Sequence, residues 1–568
     1  MKTAILGASL LGLMGCPGND DTTRTTCAAG EILDGESCVP EACGTGTWGD
    51  LQTGSDTIYV NATAEEGGDG SIDHPLLSIQ EAMDLADEQN ADQVLVAAGT
   101  YPENLALNRD HSRIDLLGRC PDLVVLDASE ANGPALDVAG GSATTDFTVA
   151  GLTIQGGYIG IYHWKGTLHL SRARIVDNVM FGLIADYTTL TEITDVEIVG
   201  TRCDEDGYWG RGIQGQFGSR IVLKDSTLTE NRTTGFYLWE AEAELTDVII
   251  ERTLPDDKER DGEAIYIEEG STITAERVTM TDNHKAAVFL VESTGTLRDS
   301  TILDTIADES EGFGSGLAAQ DDCVLTIEDT WVSGSQMLGV FLDSVTASVD
   351  GLVIEETLPD PDGNYGRGLN VQNSVLDATD VQVRNAFQAG VFIASSSAVL
   401  DAVTVESVLH KGADASGLSV SEGSTVTVSN TRIQDVEGTG VIINDSAAVV
   451  NGLYVRDIHP DQEGNFGYGV QANWLTELTG RDLDIRNTHR LGLLVADYSS
   501  AELQDVRVHN VRRGYVDPFS YGIAVEQQSS LDLWKATVET SYGAGIAIID
   551  SSDLTIHESE VRDTRRTV

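Results

Sequence analysis

The chain has 568 residues and a formal net charge of −58, from 92 acidic and 34 basic side chains. So acidic a surface repels phosphate backbones, which argues against nucleic-acid binding, and repels anionic polysaccharides unless divalent cations bridge the two. Glycine is frequent, with 59 residues, and proline is rare, with 11, as is typical of many short strands joined by tight turns.

The chain begins with a short apolar run. Lys2 precedes the run from Ala4 to Met14, and Gly15 and Cys16 follow it. This pattern resembles a bacterial lipoprotein signal, which implies that residues 1–15 are a signal peptide and that Cys16 is lipidated. The alternative is an ordinary secretory signal cleaved elsewhere. Both interpretations predict an exported protein, periplasmic or surface-facing. Because the run is too short to span a bilayer, we expect a lipid anchor at the outer membrane to be its only membrane attachment.

Residues 16–55 are predicted to be a flexible tether that contains cysteines. The segment is rich in Gly, Thr and Asp, and such a composition cannot bury enough apolar surface to fold without cross-links. Cys27, Cys38 and Cys43 lie within it, and export would allow them to form disulfides. The pairing cannot be read from their spacing.

Residues 56–130 are predicted to form an N-terminal cap and the first coils of a larger stack. Ser78-Ile79-Gln80-Glu81 forms a capping box that predicts a short amphipathic helix, and Val94 to Ala98 reads as a strand. Together with Asp69-Gly70-Ser71, His74-Pro75 and Gly99 to Glu103, this stretch resembles the first segment of bacterial right-handed parallel β-helix proteins of the pectate-lyase-like superfamily. The resemblance implies an all-β solenoid whose open end is covered by the helix.

Residues 131–568 repeat a small residue followed by a short apolar strand. From Gly182 onward the spacing alternates between 27–30 and 22–23 residues, so every second coil carries a longer corner. Such periods indicate a stacked solenoid, here of about 18 coils and about 85 Å in length. The small residues are Gly160, Gly182, Gly212, Gly235, Ala264, Ala287, Gly316, Gly339, Gly368, Gly390, Gly417, Gly440, Gly469, Gly492, Gly522 and Gly545.

The longer corners are acidic and are expected to lie along one edge of the rod. In two of them, residues with side-chain oxygen atoms occupy every second position around a glycine turn, as in calcium-binding loops. The candidate calcium ligands are Asp360, Asp362 and Asn364 in one corner and Asp461, Glu463 and Asn465 in the other. The alternative is ordinary turn chemistry, because Asp, Asn, Pro and Gly are also the residues that turns require.

Five of the longer corners place an aromatic residue three positions before the small residue. In register along an edge, these rings could form a platform on which sugar rings stack; the alternative is that each ring pins its corner to the rod. The candidate binding residues are Trp209, Phe313, Tyr365, Phe466 and Phe519.

Motifs for catalysis are weak. Gly210-Arg211-Gly212-Ile213-Gln214-Gly215 fits a dinucleotide-binding pattern but leads into a strand, so we reject that interpretation. The Gly-His-Gly of related hydrolases is absent. A row of acidic and amide residues, including Asp186, Gln216 and Glu268, follows the strands and is either a hydrophilic turn row or a groove for cations or sugar hydroxyls.

The sequence therefore predicts an exported, surface-anchored β-helix rod with a binding or structural role towards a polysaccharide or cell-surface glycan. The main alternative is a polysaccharide lyase or glycosidase that uses carboxylates on one sheet, with catalytic residues unassigned. A third is a passive spacer. Calcium is the one cofactor the sequence suggests.

Overall fold

The computed structural model describes residues 27, 31–34, 37–130, 132–307, 313–360, 362–409, 415–461, 463–514 and 520–564. Within these residues the chain winds into successive coils that stack along one axis. Each full coil crosses one sheet once (sheet A) and then passes through a second sheet (sheet B) in two successive segments. No helix in these ranges is both long enough and apolar enough to cross a membrane.

Sheet A contains 18 strands in the described ranges, which confirms the predicted number of coils. Adjacent strands pair in parallel from coil to coil, as in Phe181 with Arg211, and the first and last strands pair on one side only. The strands are Leu105–Asn108, Pro134–Ala139, Ile159–Trp164, Phe181–Asp186, Arg211–Gln216, Thr234–Trp239, Glu263–Glu268, Ala286–Val291, Ser315–Gln320, Leu338–Asp343, Arg367–Gln372, Ala389–Ala394, Ser416–Ser421, Thr439–Asn444, Tyr468–Asn473, Leu491–Val495, Tyr521–Val525 and Ala544–Ile548.

Sheet B contains 30 strands in the same ranges, again paired in parallel from coil to coil. They are Thr57–Val60, Gln93–Val96, Gly99–Tyr101, Asp115–Gly118, Val124–Asp127, Asp146–Ala150, Thr153–Gln155, Thr167–Val176, Leu190–Val199, Arg220–Lys224, Thr227–Thr229, Glu242–Thr246, Ile249–Glu251, Thr272–Glu276, Thr279–Thr281, Thr294–Arg298, Thr301–Leu303, Val324–Ser333, Thr346–Glu355, Val375–Arg384, Ser397–Asp401, Thr404–Val408, Thr425–Glu437, Ala447–His459, Glu477–Arg486, Ser500–Val511, Ser530–Trp534, Thr537–Ser541, Asp553–His557 and Glu560–Arg562.

The bend inside sheet B is made by single residues in the left-handed backbone region. Asp195, Asp329 and Asn430 occupy this position in three coils, with φ of 56°, 44° and 49°. Short polar side chains tolerate this conformation because they can hydrogen-bond locally. One residue per coil therefore bends the chain between its two segments in sheet B. The stack of parallel coils is the right-handed β-helix that the resemblance implied.

The repeated small residue is required because neighbouring coils approach closely there. A Cβ atom on Gly368 would lie 2.3 Å from Cγ1 of Val383 and 2.7 Å from the carbonyl oxygen of Gly390. A side chain at Gly368 would therefore overlap both atoms, and only alanine replaces glycine at the equivalent position, as Ala264 and Ala287. Inside the stack, one continuous apolar cluster extends from Ile58 to Val538.

Buried asparagines, each four residues before a repeated small residue, tie neighbouring coils together. Asn231 donates from Nδ2 to the carbonyl of Ile198 at 3.1 Å, and its Oδ1 accepts from the backbone N–H of Thr201 at 3.2 Å. Asn178 and Asn283 make the same pair of bonds to their preceding coils. These side chains satisfy backbone groups that the corners would otherwise leave unpaired.

The N-terminal end is covered as predicted by an amphipathic helix, Ile79–Gln89, which is capped by the Ser78 hydroxyl accepting from the backbone of Glu81. Ile79, Ala82, Met83 and Ala86 form its buried face. Two one-turn 3-10 helices, Glu41–Cys43 and Arg109–His111, complete the helical elements of the described residues.

Part of the segment predicted to be a flexible tether is folded. Glu31–Asp34 and Ser37–Pro40 form an antiparallel pair. Disulfides join Cys27 to Cys38 and Cys43 to Cys120, and the second ties this segment to the first coils. Arg119 adds bonds to Asp34 at 2.7 Å and to the carbonyls of Cys43 and Gly44. The long-range Cys43–Cys120 link compensates for the small apolar content of the segment.

Candidate functional site

The outer face of sheet A carries a column of side chains at the middle positions of its strands, and several of these side chains are aromatic. Two positions after the small residue, the side chain points away from the stack, and in six coils it is Tyr or Phe. Tyr237 and Tyr266 lie 5.5 Å apart between ring centroids, and Tyr266 and Phe289 lie 5.1 Å apart and stack. The aromatic members of this column are Tyr162, Tyr237, Tyr266, Phe289, Phe341 and Phe392.

The longer corners fold over the edge of this face, and four of them are closed in one way. The first Asp of the corner accepts a hydrogen bond from the backbone N–H four residues later, at 2.7–2.9 Å. Its own N–H donates to the carbonyl of that same residue. The pairs are Asp204–Tyr208, Asp256–Arg260, Asp360–Asn364 and Asp461–Asn465. These carboxylates hold the corners in shape.

The candidate calcium ligands lie in two of these corners. Asp360 and Asp461 use Oδ1 for the loop closure, and each Oδ2 is 3.3 Å from the side-chain amide of Asn364 or Asn465. Asp362 and Glu463 are exposed. Among the described residues, the one convergence of three His, Cys, Asp or Glu ligand atoms is Cys43, Cys120 and Asp122, whose cysteines form a disulfide. Calcium binding stays a prediction.

The candidate aromatic residues of the corners lie on one edge of sheet A. Trp209, Tyr365 and Phe466 each sit two residues before a sheet A strand, with φ of 62–65°, and each is followed by a glycine that also has positive φ. Trp209 and Tyr365 are 40% and 44% exposed. Phe519 and the candidate lipidation residue Cys16 lie outside the described residues.

Phe313 has a packing role in addition to its place on this edge. Its ring lies 6.3 Å from that of Phe289 and 6.0 Å from that of Phe341. The strand between those two rings has Ala318 in the aromatic column. The corner thus contributes an aromatic ring at the level where the column has a small residue, and the row of rings continues.

A groove of about 340 Å³ opens between two corners at the N-terminal half of this face. Trp209 and Tyr208 border it on one side, and Asp256 and Arg260 border it on the other. Asp256 is buried and its Oδ2 accepts from Arg260 at 2.6 Å, which fixes that wall. The floor is formed by Arg211 and Tyr266 from sheet A.

Arg211 is the central group of the groove. Its guanidinium lies 3.5 Å from the ring centroid of Tyr237 and 4.9 Å from that of Trp209. Its Nη1 donates to the amide oxygen of Gln214 at 2.6 Å, and Nε has no hydrogen-bond partner within the described residues. No ion pair joins it to a carboxylate there. Burial lowers the pKa of Arg211, but the guanidinium remains charged at any physiological pH.

The carboxylates around Arg211 already have partners. Both Tyr237 and Tyr266 donate their hydroxyls to the two oxygens of Glu268, the second at 2.9 Å. Burial raises the pKa of both tyrosines, so they remain protonated donors. Glu268 therefore holds the two rings at fixed angles beside the guanidinium.

A second acidic pair lies at the edge of the same groove. Lys285 approaches Asp261 at 3.1 Å and the fully buried Glu263 at 3.3 Å. Burial raises the pKa of Glu263 to about 7, with Lys285 opposing the shift. One ammonium thus contacts both acids, whereas Arg211 forms no salt bridge among the described residues, although Glu268 and Glu263 are near enough to act on its pKa.

Most of these residues were missed in the sequence. Glu268 was part of the acidic and amide row, and Arg211 was considered only as part of a rejected glycine motif. Tyr237, Tyr266 and Lys285 gave no signal as isolated residues. The signal that could have found the two tyrosines is the two-residue alternation along each sheet A strand, which turns the middle side chain to the outer face.

Comparison with known proteins bears on the fold. The family described as right-handed beta helix region matches residues 181–351 and 367–561. The comparison with curated proteins found no match.

Several solved structures are similar to this chain at low identity. The periplasmic alginate epimerase AlgG is 10% identical, with 61% of this chain and 76% of that chain covered and a TM-score of 0.32. Pectate lyase Pel9A is 14% identical, with 66% and 78% covered and a TM-score of 0.22. The pre-mature gene product 12 of bacteriophage phi29 is 9% identical, with 88% and 72% covered and a TM-score of 0.34. At these values the likeness carries no argument about activity.

Proposed function

This chain belongs to the right-handed β-helix family, and we propose that it is an exported protein that binds a polysaccharide on the outer face of sheet A. Its role in this proposal is binding or structural. The two disulfides among the described residues support export, because such bonds persist in oxidising compartments.

The observation that carries the proposal is the guanidinium of Arg211. A half-buried Arg without an acidic partner is a ready site for a carboxylate, to which it can donate two parallel hydrogen bonds. The exposed ring of Trp209 beside it offers a face for the sugar that bears the carboxylate. The ligand that fits this groove is therefore a polymer of acidic sugars.

Screening by salt and the cations around the groove reduce the repulsion that the net charge of −58 would exert on this ligand. At physiological ionic strength, exposed charges more than about 8 Å apart are largely screened from one another. Around the groove, Asp256 is paired with Arg260, Asp261 and Glu263 contact Lys285, and Glu268 accepts two tyrosine hydroxyls. Arg211, Arg260 and Lys285 thus place three cations around the groove that partly offset its acids.

The test is binding of alginate, an acidic polymer, and of dextran, a neutral one, to the purified protein by calorimetry. We expect alginate to bind and dextran to bind much more weakly. Arg211→Gln should weaken alginate binding by about 10- to 100-fold, the equivalent of about 1.5–3 kcal/mol for a charge-assisted hydrogen bond.

The matched control is Arg220→Gln, because Arg220 is exposed on sheet B and is paired with Glu244 at 2.6 Å. It should leave binding unchanged. Equal binding of dextran and alginate, or full alginate binding by Arg211→Gln, would refute the proposal. Absence of any binding would support a passive spacer instead.

A second candidate function is turnover of the polysaccharide by the same groove. One observation favours it: Asp261, which lines the groove, is bound by Lys285, and the same Lys285 contacts the fully buried Glu263, whose pKa burial raises to about 7. A carboxyl that titrates near neutrality suits acid–base chemistry. An assay for new reducing ends and unsaturated products distinguishes the two. Products that disappear in Glu263→Gln would establish an enzyme.

Lipidation of Cys16 and calcium binding complete the proposal. Cys16→Ser should release the protein from the membrane fraction, and palmitate labelling should be lost with it. Calcium binding at Asp360 and Asp461 would appear as heat in a calcium titration, lost in the Asp360→Asn, Asp461→Asn double variant.

A further inference from the structure

The surroundings of Arg211 are repeated once more on the same face. Residues 209–214 read Trp-Gly-Arg-Gly-Ile-Gln, and residues 365–370 read Tyr-Gly-Arg-Gly-Leu-Asn. In both, the corner aromatic has positive φ and precedes a glycine with positive φ, so the backbone presents the arginine in the same way. Arg367 is thus the structural equivalent of Arg211.

The contacts of Arg367 match those of Arg211 in kind. Its guanidinium lies 3.8 Å from the ring centroid of Phe392 in the next coil and 5.9 Å from that of Tyr365. Nε donates to the amide oxygen of Gln388 at 2.7 Å, and Nη1 donates to that of Asn370 at 3.3 Å. Both acceptors are neutral amides, as Gln214 is for Arg211.

The absence of an acidic partner is informative in so acidic a chain. Arg384, in the same coil but on sheet B, pairs with Glu355 at 2.6 Å. Arg367 forms no ion pair with a carboxylate anywhere in the described ranges, although the chain has 92 acidic residues. Its surroundings consist of rings and amides that orient the guanidinium and leave its charge uncompensated.

The parallel register places the two arginines in one line. Arg211 and Arg367 begin strands that are six pairing steps apart in sheet A, and the pairing runs through Phe236, Ile265, Val288, Leu317 and Val340 without a shift. Six strand spacings correspond to about 29 Å along the axis of the rod. The aromatic column and Phe313 lie between them on the same face.

We propose that Arg367 is a second carboxylate-binding position and that one acidic polymer lies along the axis of the rod, bound at Arg211 and Arg367 at the same time. This inference rests on the proposed function. Once the polymer is held at one arginine, its other carboxylates are at high effective concentration near the second arginine. A polymer that spans both sites therefore binds with higher affinity than a short oligomer that reaches only one.

The experiment compares alginate oligomers of increasing length with the polymer, by calorimetry, on the full chain. We expect affinity to rise by at least about tenfold once the oligomer is long enough to span about 29 Å. Arg367→Gln should abolish this rise and leave the affinity of short oligomers for Arg211 within about threefold of wild type. The matched control is Arg384→Gln, because Arg384 lies on sheet B, away from the proposed binding face, and this variant should behave as wild type.

The outcomes separate this inference from the proposed function. If Arg211→Gln weakens polymer binding and Arg367→Gln does not, or if affinity shows no rise with length, the second position is refuted and the first stands. If neither variant changes binding, both fall. Thermal melting checks that each variant folds; should Arg367→Gln fail to fold, Arg367→Lys keeps the charge but loses the two-pronged donor, and should still lower polymer affinity more than short-oligomer affinity.

Discussion

Acid should destabilise the first coils through His163, which lies inside the stack. Its side chain is fully buried, and Nδ1 is 2.9 Å from the hydroxyl of Thr191, itself buried. Burial lowers the pKa of His163 to about 4, from an ordinary value near 6.5. The folded protein therefore keeps the imidazole neutral at a pH where the unfolded chain has already protonated it.

The sign and the size follow from this difference. Between pH 6.5 and pH 4 the unfolded state binds more protons, so the free energy of unfolding rises with pH across that window. The contribution is fully present above pH 6.5 and is lost as the pH falls to 4. A difference of 2.5 pKa units corresponds to about 3 kcal/mol at 1.36 kcal/mol per unit.

The assay is urea unfolding of wild type and His163→Leu at a series of pH values from 7.5 to 4. Leu keeps the volume and cannot titrate, and the many carboxylates are common to both proteins, so their contribution cancels in the difference. We expect the wild type to lose about 3 kcal/mol relative to the variant between pH 7 and pH 4. Hydrogen exchange in residues 159–199 should localise the loss to these coils.

A flat difference across this range would refute the reasoning. His509→Gln is the control, because the side chain of His509 is 49% exposed. If wild type lost the same stability relative to His509→Gln as it loses relative to His163→Leu, the reasoning would also be refuted.

Three further predictions concern the stack. Asn231→Ala leaves a buried N–H and a buried carbonyl unpaired and should lower the free energy of unfolding by about 2–4 kcal/mol in urea; a loss below about 1 kcal/mol would contradict it. Gly368→Ala should cost about 1–3 kcal/mol, because the added carbon would overlap a Val methyl of its own coil, whereas Gly218→Ala meets nothing within 4 Å and should show only the smaller strain of its positive φ. Opening the Cys43–Cys120 disulfide, which spans 77 positions, by the double change to Ser should cost about 4 kcal/mol and expose the N-terminal segment to protease; an unchanged melting temperature would contradict it.

Much of the architecture could be predicted because the signals for it are local. The small residue recurs wherever coils touch, as at Gly368, and its spacing counts the coils and locates the longer corners. The capping box at Ser78 predicts the covering helix by the same kind of short-range hydrogen bonding. Trp209, Tyr365 and Phe466 lie at equivalent positions before their sheet A strands for the same reason, since regular stacking brings equivalent residues into line; a sugar-binding role for them stays a prediction.

What the sequence by itself determined is therefore the rod, the number of its coils and the order of its corners, because each depends on residues close together in the chain. Only the tertiary structure decided which side chains face outward on sheet A and which charges remain uncompensated. Glu268 meets the hydroxyl of Tyr237 31 positions away, and Lys285 meets Asp261 24 positions away. Arg211 and Arg367 form no salt bridge in the described residues, although Glu268 and Glu263 are near enough to act on the pKa of Arg211. Such partners come from neighbouring coils, so the electrostatic state of a residue is set by stacking and cannot be read from its own segment.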